Sequence, residues 1–553
     1  MGLGASVRQG DVGRAALRGP AERGLVLATG LAAALPVMAA TVRELSVGWV
    51  PQSDQAVAAA RAYDVFTSWT PLVGPWSSSS NTLGQPVYHL GPLLYWLLAL
   101  PARLPGSAAF PLVMGVVNTA AVLGVVVLAH RRGGRPLMFA AAVAVAAMCG
   151  SLGIQPLSDI WSPSAPLLSF TLLIFVCWSV ACGEPRLLPV AALLASFAVQ
   201  SHLIFVLPAL GLVAVALAGL VTPRLRGTTT PDGSLRRWSL VAVVVGLVCW
   251  SGPMLDQALS WAGSSRGTGN LATVVRAARS RESPVGADGG ARAVASAVGV
   301  TPQWLRSPQS PTHRTFEIFA PVGAGRVIST LAVLGGLAAV LLVGIRRRRT
   351  DVVTAASLAL ILCAALAIDT ASFPNTPATI FSYAYASWWA IPAGMFVWLA
   401  LGWSAATLWA PRLRGRLPRR LPAGAGVGLG LGIVVIVSIV VVAGQSDDNA
   451  RRLFGPTRTI EDGVAAALPH PGNVRVDAPT FVFKTGVMQT LRRHGGRVQT
   501  EDFVEFGRHY ALRGGPVDHV VDIRQGLTPA PGGRVVAQVK VPPGQGTFTV
   551  SVR

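Results

Sequence analysis

The most constraining feature of this sequence is a succession of apolar runs that repeats over most of the chain. Eleven runs have roughly the length that a helix needs to cross a bilayer, which is about 20 residues. They lie at 24–41, 109–128, 137–152, 165–181, 187–200, 203–221, 239–255, 327–344, 352–367, 387–409 and 427–443. Because 52% of the residues are hydrophobic and 13% are charged, the chain has too little polar surface for a soluble globule of 553 residues. The sequence predicts an α-helical polytopic membrane protein.

Short arginine clusters separate these runs and predict how the chain is oriented. The clusters are Arg131, Arg132 and Arg135; Arg186; Arg224, Arg226, Arg236 and Arg237; Arg346 to Arg349; and Arg412 to Arg420. With eleven crossings every cluster falls on one side, and arginine is enriched in cytoplasmic loops. We therefore expect the arm 1–23 in the cytoplasm, and the polar segments 43–107, 256–322 and 444–553 at the outer face of the cytoplasmic membrane. These clusters also account for the net charge of +22, so we do not expect nucleic acid as a partner.

The tail, 444–553, has a mixed polar composition, unlike the transmembrane domain, 24–443. Strand-like alternation of apolar and polar residues occurs at 473–477, 497–500, 519–523 and 534–541, and a helical pattern occurs at 485–494. This combination predicts a small extracytoplasmic α/β domain. Because these elements can bury a small core, we expect the tail to fold on its own.

The outer segment 43–107 begins with an acidic helix. Asp54 opens a helical run that ends at Asp64, and steps of seven and three residues place Arg61 on one face with both acids. Acid and base side chains that face one direction are candidates for binding or proton transfer. The plainer interpretation is an acid that caps a helix beside a surface ion pair.

A second stretch of the same segment, 88–100, is apolar and too short to cross the bilayer. We predict a helix along the membrane surface, with Tyr95 and Trp96 at the level of the lipid headgroups. His89 lies at the start of this stretch and is either a ligand or another anchor at headgroup level.

Other outer segments also carry polar residues of interest. Asp159 lies in a short loop, and Gln200-Ser201-His202 interrupts a long apolar stretch, which predicts a turn beside a water-filled cavity or hydrogen bonds between helices. Four arginines of the segment 256–322 are either phosphate ligands or solvated charges: Arg266, Arg276, Arg279 and Arg281. Four aromatic residues either line a lipid groove or form an aromatic belt: Tyr383, Tyr385, Trp388 and Trp389.

The first two hundred or so residues contain an acid shortly after the first run, the motif His89-Leu90-Gly91-Pro92, and a second run that closes with His130-Arg131-Arg132. These three features resemble the membrane glycosyltransferases of the GT-C superfamily. The pattern is similar to that of mannosyl, arabinosyl and aminoarabinose transferases that use polyprenyl-phosphate donors. The arginine-rich, nearly lysine-free composition is typical of actinobacterial members. The chain departs from the pattern at Gln55, where the family has a second acid, and in the proline motif, where the family has His/Lys-Pro-Pro-Leu.

The resemblance implies an inverting glycosyltransferase that moves a sugar from a polyprenyl-phosphate donor to an envelope glycan, lipid or protein at the outer face of the membrane. Asp54 matches the first-loop acid and is the expected base, with Asp159 as a second catalytic acid. The candidates for substrate binding are Arg61, Asp64, His89, His202, Arg276 and Arg279. A divalent cation, Mg²⁺ or Mn²⁺, is left open as a cofactor because Gln55 replaces an acid. We expect the tail to contribute to recognition of the acceptor.

Two other functions are left open by the sequence. A transporter or flippase of an envelope lipid is expected to show paired repeats and ionisable groups near the middle of the membrane. The predicted runs are nearly free of charge, which favours chemistry at the surface. A catalytically inactive scaffold with the same fold is the second alternative, because Asp54-Gln55 stands where the family has two acids.

Overall fold

The computed structural model describes residues 19–225, 233–262, 269–279, 283–308, 319–377, 379, 382–413, 423–445, 449–512, 514–541, 544 and 546–553. Its membrane part is helical. The helices are α1 (Pro20–Ser46), α2 (Asp54–Asp64), α3 (Ser79–Leu83), α4 (Leu93–Leu98), α5 (Ala109–Leu152), α6 (Gln155–Ser158), α7 (Leu167–Ala181), α8 (Leu188–Ser201), α9 (Val206–Leu225), α10 (Gly233–Ala262), α11 (Asn270–Arg279), α12 (Gly286–Val298), α13 (Ala324–Arg346), α14 (Thr350–Ser372), α15 (Tyr383–Ala386), α16 (Ala390–Leu413) and α17 (Ala423–Gly444).

All eleven predicted apolar runs are mainly helical in the structure. Among the described residues, eight helices are long and apolar enough to cross a membrane. Helix α5 has 44 residues and contains two predicted runs, which meet at a kink where Gly134 has a φ of 64° that a glycine adopts without strain. Helices α7 and α8 have 15 and 14 residues, fewer than a straight crossing requires. The polytopic helical fold is thus confirmed, and the number of eleven crossings stays a prediction.

Charged side chains form ion pairs near the start of helix α1. Near its start, Glu22 pairs with Arg135. At the same end, Glu184 is buried beside the turn between α7 and α8 and pairs with Arg131 and Arg132. Arg186, from the next predicted inner cluster, also pairs with Glu184, at 3.3 Å. Predicted inner arginines from two clusters therefore meet at one end of the helices, which is what the predicted topology requires.

Reporter fusions test this topology directly. We expect a reporter at Arg347 to be cytoplasmic and one at Asp462, in the tail, to be outside, because an odd number of crossings separates the inner arginine clusters from the tail. The measurement is the activity of a compartment-sensitive reporter at each position in intact cells. Both reporters on the same side would contradict the topology.

The tail folds as the sequence predicts, with two additions. It consists of α18 (Phe454–Ala467), β1 (Asn473–Asp477), α19 (Phe481–Arg493), β2 (Arg497–Gln499), β3 (His519–Gln525), β4 (Arg534–Val541) and β5 (Gly546–Val552). The sheet order is β2-β1-β3-β5-β4, in which β1 runs parallel to β2 and β3, and β5 runs antiparallel to β3 and β4. The sequence analysis did not predict α18 or β5. The small α/β domain is confirmed.

The hydrophobic core of the tail includes part of the first outer segment. Val57 and Ala60 of α2 belong to the same buried cluster as Ile460 of α18 and Val487 of α19. Removing the tail would expose these α2 side chains to water. The packing therefore gives no support to a tail that folds independently of α2.

The helix predicted at 88–100 is shorter in the structure, and the predicted position of Tyr95 at the level of the lipid headgroups is wrong. Its regular part is the short helix α4, and Tyr95 on this helix is 1% exposed. Tyr95 packs with Ala59 of α2 and Phe110 of α5 in one hydrophobic cluster. The Tyr95 side chain is therefore buried inside the protein and does not lie among the lipid headgroups.

Candidate active site

A cavity of about 220 Å³ opens at the end of α1 that lies away from the arginine clusters. Four segments form it: the end of α1 with the turn that follows, the start of α2, the loop after α5, and the start of the tail. Its lining residues are Glu44, Trp49, Gln52, Ser53, Asp54, Gln55, Gln155, Trp161, Arg451 and Phe454. We call it the carboxylate cavity.

Asp54 is the first residue of α2 and lies on the wall of this cavity. The preceding residue, Ser53, has a φ of 48°, a left-handed conformation that costs energy for a serine and is found most often at functional sites. The Asp54 side chain is reachable by solvent, and its Oδ2 accepts a hydrogen bond of 2.9 Å from Nε1 of Trp161. The surrounding protein raises the pKa of Asp54 by desolvation, and the bond from Trp161 opposes this shift.

Asp159 is the second carboxylate of the site, and it is 2% exposed. Four donors point at it: Gln55 Nε2 at 2.8 Å, Trp161 N at 3.0 Å, Gln155 Nε2 at 3.2 Å and Ser164 Oγ at 3.3 Å. Burial raises the pKa of Asp159 to about 7, although the hydrogen bonds favour its charged form. Asp159 therefore changes its charge near neutral pH.

Trp161 connects the two acids and was not singled out by the sequence analysis. Its backbone N–H donates to Asp159 while its indole N–H donates to Asp54. The ring packs edge-on against Tyr385 and Trp388, with centroids 5.1 Å and 5.6 Å away. These aromatic rings fix the indole, so the position of one carboxylate depends on that of the other. A lipid groove or an aromatic belt formed by these residues stays a prediction.

Glu44 and Arg451 complete the cavity wall, and both were missed from the sequence. Glu44 lies in the last turn of α1, and its Oε1 is 2.9 Å from Nη2 of Arg451 at the start of the tail. An acid at the end of an otherwise apolar run is a signal that the sequence offered. Arg451 had no such signal, because only folding brings the tail to this wall.

A divalent cation held by protein ligands needs several free oxygen atoms, commonly from two or more carboxylates. The wall of this cavity carries two carboxylates, Asp54 and Glu44, and Glu44 is paired with Arg451. The amide of Gln55 donates to Asp159 where the resemblance expects a second acid. Among the described residues there is no group of three or more His, Cys, Asp or Glu side chains placed to hold a metal ion. A divalent cation as cofactor stays a prediction.

Arg61 and Asp64 lie outside the carboxylate cavity and join α2 to the tail. Asp64 is fully buried, and its carboxylate is 2.7 Å from both Nη1 of Arg61 and Nε of Arg492. The hydroxyl of Tyr510 also donates to it at 2.8 Å. The predicted pairing of Arg61 with Asp64 is present, but its partners belong to the tail. A role for the pair in substrate binding stays a prediction.

His89 and His202 are buried against each other, with ring centroids 4.0 Å apart. Neither His89 nor His202 lines the carboxylate cavity. His89 Nδ1 accepts from the N–H of Leu203, and desolvation lowers the pKa of His89 to about 3. An anchor at headgroup level is therefore wrong for His89, because the ring lies inside the protein. Its role as a ligand, like that of His202, stays a prediction.

The polar trio before the α9 helix forms the predicted turn, and all three residues are buried. Gln200 is buried, and its Nε2 donates to the carbonyl of Cys249 on α10 at 2.8 Å. Ser201 donates to the carbonyl of Phe197 one turn earlier. Hydrogen bonding between helices, the alternative interpretation, describes this trio better than a water-filled cavity.

Arg276 and Arg279 lie on α11, and both are exposed. Neither lines the carboxylate cavity. Two further candidates, Arg266 and Arg281, fall outside the described residues. A role for these arginines in holding a phosphate stays a prediction.

Comparisons with known proteins give similarity at the level of whole structures. No family model and no curated protein matches this sequence. The crystal structure of ArnT from Cupriavidus metallidurans bound to undecaprenyl phosphate is similar at 14% identity and a TM-score of 0.48, over 96% of this chain and 98% of that one. The apo state of the same protein is similar at 12% identity and a TM-score of 0.47, over the same shares of both chains.

A second solved structure is more distant. The archaeal oligosaccharyltransferase AglB from Archaeoglobus fulgidus, in complex with an inhibitory peptide and a dolichol-phosphate, is similar at 14% identity and a TM-score of 0.31. The match covers 87% of this chain and 69% of that one.

Proposed function

We propose that this chain is a membrane glycosyltransferase that moves a sugar from a polyprenyl-phosphate donor to an envelope acceptor at the outer face of the cytoplasmic membrane. The observation that carries the proposal is that Trp161 joins Asp54, on the wall of the carboxylate cavity, to the buried Asp159 behind it. This cavity lies at the end of the helices away from the inner arginine clusters. Asp54 is also the residue that matches the first-loop acid in the resemblance to GT-C enzymes.

The chemistry assigns a role to each group. Asp54 takes the proton of the acceptor hydroxyl, whose oxygen then attacks the anomeric carbon of the donor sugar. The bond from that carbon to the phosphate oxygen breaks, and the polyprenyl phosphate leaves with the electron pair. A single displacement of this kind inverts the anomeric configuration. Arg451, on the same wall, is the group that we assign to stabilise the charge on the leaving phosphate.

We assign Asp159 the role of holding the base, Asp54, in position through Trp161. Its ionised form accepts all four of its hydrogen bonds, whereas a protonated carboxyl must give up one of these acceptor sites. Loss of the bond from Trp161 would free the indole that positions Asp54. The two acids therefore act as one unit in which Asp54 touches the substrate.

The pH dependence of transfer tests this unit. Because burial raises the pKa of Asp159 to about 7 and desolvation raises that of Asp54, both protonate at a higher pH than ordinary aspartates. We expect the transfer rate to fall as pH decreases below about 7. Stability should move the opposite way, since an acid with a raised pKa in the folded state favours folding at low pH. Rates and unfolding temperatures measured from acid to neutral pH check both signs; a rate that stays flat across this range would contradict the assignment.

An assay in membranes tests the function itself. Membranes that contain the protein are incubated with a series of radiolabelled polyprenyl-phosphate sugars and envelope acceptors. We expect label to move from the lipid to an acceptor with one of the donors. Label that stays on every donor, in membranes where correct insertion of the protein is shown, would contradict the proposal and favour an inactive scaffold.

A further inference from the structure

A larger cavity, of about 540 Å³, lies between the first outer segment, the α10–α11 region and the tail. Its walls come from residues within 61–88, 256–273 and 503–509. None of its described lining residues also lines the carboxylate cavity. Its volume is in the range of ligand pockets, which is about 300–1,000 Å³. We call it the second cavity.

Hydrogen bonds fix the three walls of the second cavity relative to one another. The backbone N–H of Tyr88 donates to Oδ1 of Asn270, and Nδ2 of Asn270 donates back to the carbonyl of Tyr88, both at 3.0 Å. The phenol of Tyr88 donates to the carbonyl of Val504 in the tail at 2.8 Å. Asp256 accepts from the N–H of Asn270 at 3.1 Å. A cavity held in this way is preorganised, which reduces the entropy lost on binding.

The second cavity carries charged groups of both signs. Arg61 and Arg508 are its cations, and Asp256 and Glu505 are its anions. Arg61 is already paired with Asp64, whereas Arg508 is exposed and forms no ion pair within the part of the chain that the structure describes. An anionic ligand would face two carboxylates here, and a cationic ligand would face the guanidinium group of Arg508. A neutral ligand rich in hydroxyl groups can use the donors and the acceptors together.

The rest of the cavity wall is apolar and can contact the apolar faces of such a ligand. Proline, leucine, valine and phenylalanine side chains cover it between the charged groups: Pro71, Leu72, Val73, Pro86, Phe503 and Phe506. A saccharide has this combination of C–H faces and hydroxyl edges. A lipid phosphate does not, because its charge would lack a matching excess of cations.

The second cavity lies between the same two parts of the chain that meet at the carboxylate cavity, the first outer segment and the tail. We propose that the second cavity binds a neutral saccharide unit of the acceptor. This inference rests on the proposed transfer reaction.

Direct binding measurements on the full chain test the inference without requiring turnover. The purified protein in lipid nanodiscs is titrated with short neutral oligosaccharides of mannose, arabinose, galactose or glucose, and binding is followed by saturation-transfer NMR. Two variants remove wall groups, Arg508→Ala and Glu505→Gln. Arg534→Ala removes an exposed arginine of β4 that does not line the second cavity and serves as the matched control. Unfolding temperatures are measured for all variants to exclude misfolding.

We expect at least one oligosaccharide to bind, with about tenfold weaker binding in each wall variant and no change in Arg534→Ala. No binding by any of these oligosaccharides, or equal binding in all variants, would overturn the inference. Inorganic phosphate that competes with the sugar at Arg508 would also overturn it, because the cavity would then be an anion site. Binding without transfer would defeat the proposed function alone, whereas transfer with an unchanged acceptor KM in both wall variants would defeat this inference alone.

Discussion

Asp54→Asn is expected to lower the rate of sugar transfer by about 100-fold or more while leaving the protein folded and inserted. An amide cannot take the proton of the acceptor hydroxyl, but it can still accept the hydrogen bond from Trp161 that Asp54 accepts now. The position of the indole, and with it the order around Asp159, should therefore survive. The measurement is the initial rate with a labelled donor at saturating acceptor.

Asp462→Asn is the matched control, because it replaces an exposed aspartate of the tail outside the carboxylate cavity. Its rate should equal that of the wild type. An unchanged rate in Asp54→Asn would move the base elsewhere, with Asp159 as the next candidate. Equal losses in both variants would point to a general effect on folding.

Asp64→Asn is expected to destabilise the contact between α2 and the tail by about 3–5 kcal/mol. Asp64 is fully buried and is the shared partner of two guanidinium groups, those of Arg61 and Arg492. Removing the negative charge leaves two buried cations without a counter-ion at this contact. The loss should appear as a lower unfolding temperature and as faster hydrogen exchange in α2 and α19.

The control for this variant is an ion pair of similar length in a solvated place. Asp477 on β1 is 2.8 Å from Nε of Arg475, and both side chains are partly exposed. Exposed pairs contribute about 1 kcal/mol or less, so Asp477→Asn should have a small effect. Similar, small effects in both variants would show that the tail is not held to α2 through Asp64.

Hydropathy and alternation were sufficient to predict the long apolar helices and most of the sheet. Each apolar run carries its own signal, and β1 and β4 have the predicted bounds. Strand β5 lies between β3 and β4 and was missed, although its run Gly546–Val552 alternates polar and apolar residues as a strand does. In the structure this central strand also buries its polar positions Thr549 and Ser551.

The position of Tyr95 shows where composition misleads. An apolar stretch with aromatic residues has the same composition whether it faces lipid headgroups or other helices. The contacts with α2 and α5 that bury Tyr95 depend on segments before and after it in the chain. Only the assembled fold decides between these two environments.

The two acids of the candidate site could be predicted from the sequence, but their hydrogen-bond partners could not. Asp54 and Asp159 were both selected from the sequence, but they lie 105 positions apart, and no local pattern places Trp161 between them. Gln55 looked like a defect in an acidic pair. In the structure its amide is one of four donors to Asp159, so the replacement of an acid by an amide has a physical function at this position.

The measurement that tests the central claim most directly follows the fate of the labelled sugar with purified protein in sealed vesicles. A polyprenyl-phosphate sugar is incorporated in the vesicle membrane, and a water-soluble acceptor is added on the side of the tail. We predict that label leaves the lipid and appears on the acceptor with inverted anomeric configuration, and that Asp54→Asn prevents this. Label that crosses the membrane while it remains attached to the lipid, equally in both proteins, would contradict the account and identify a transporter.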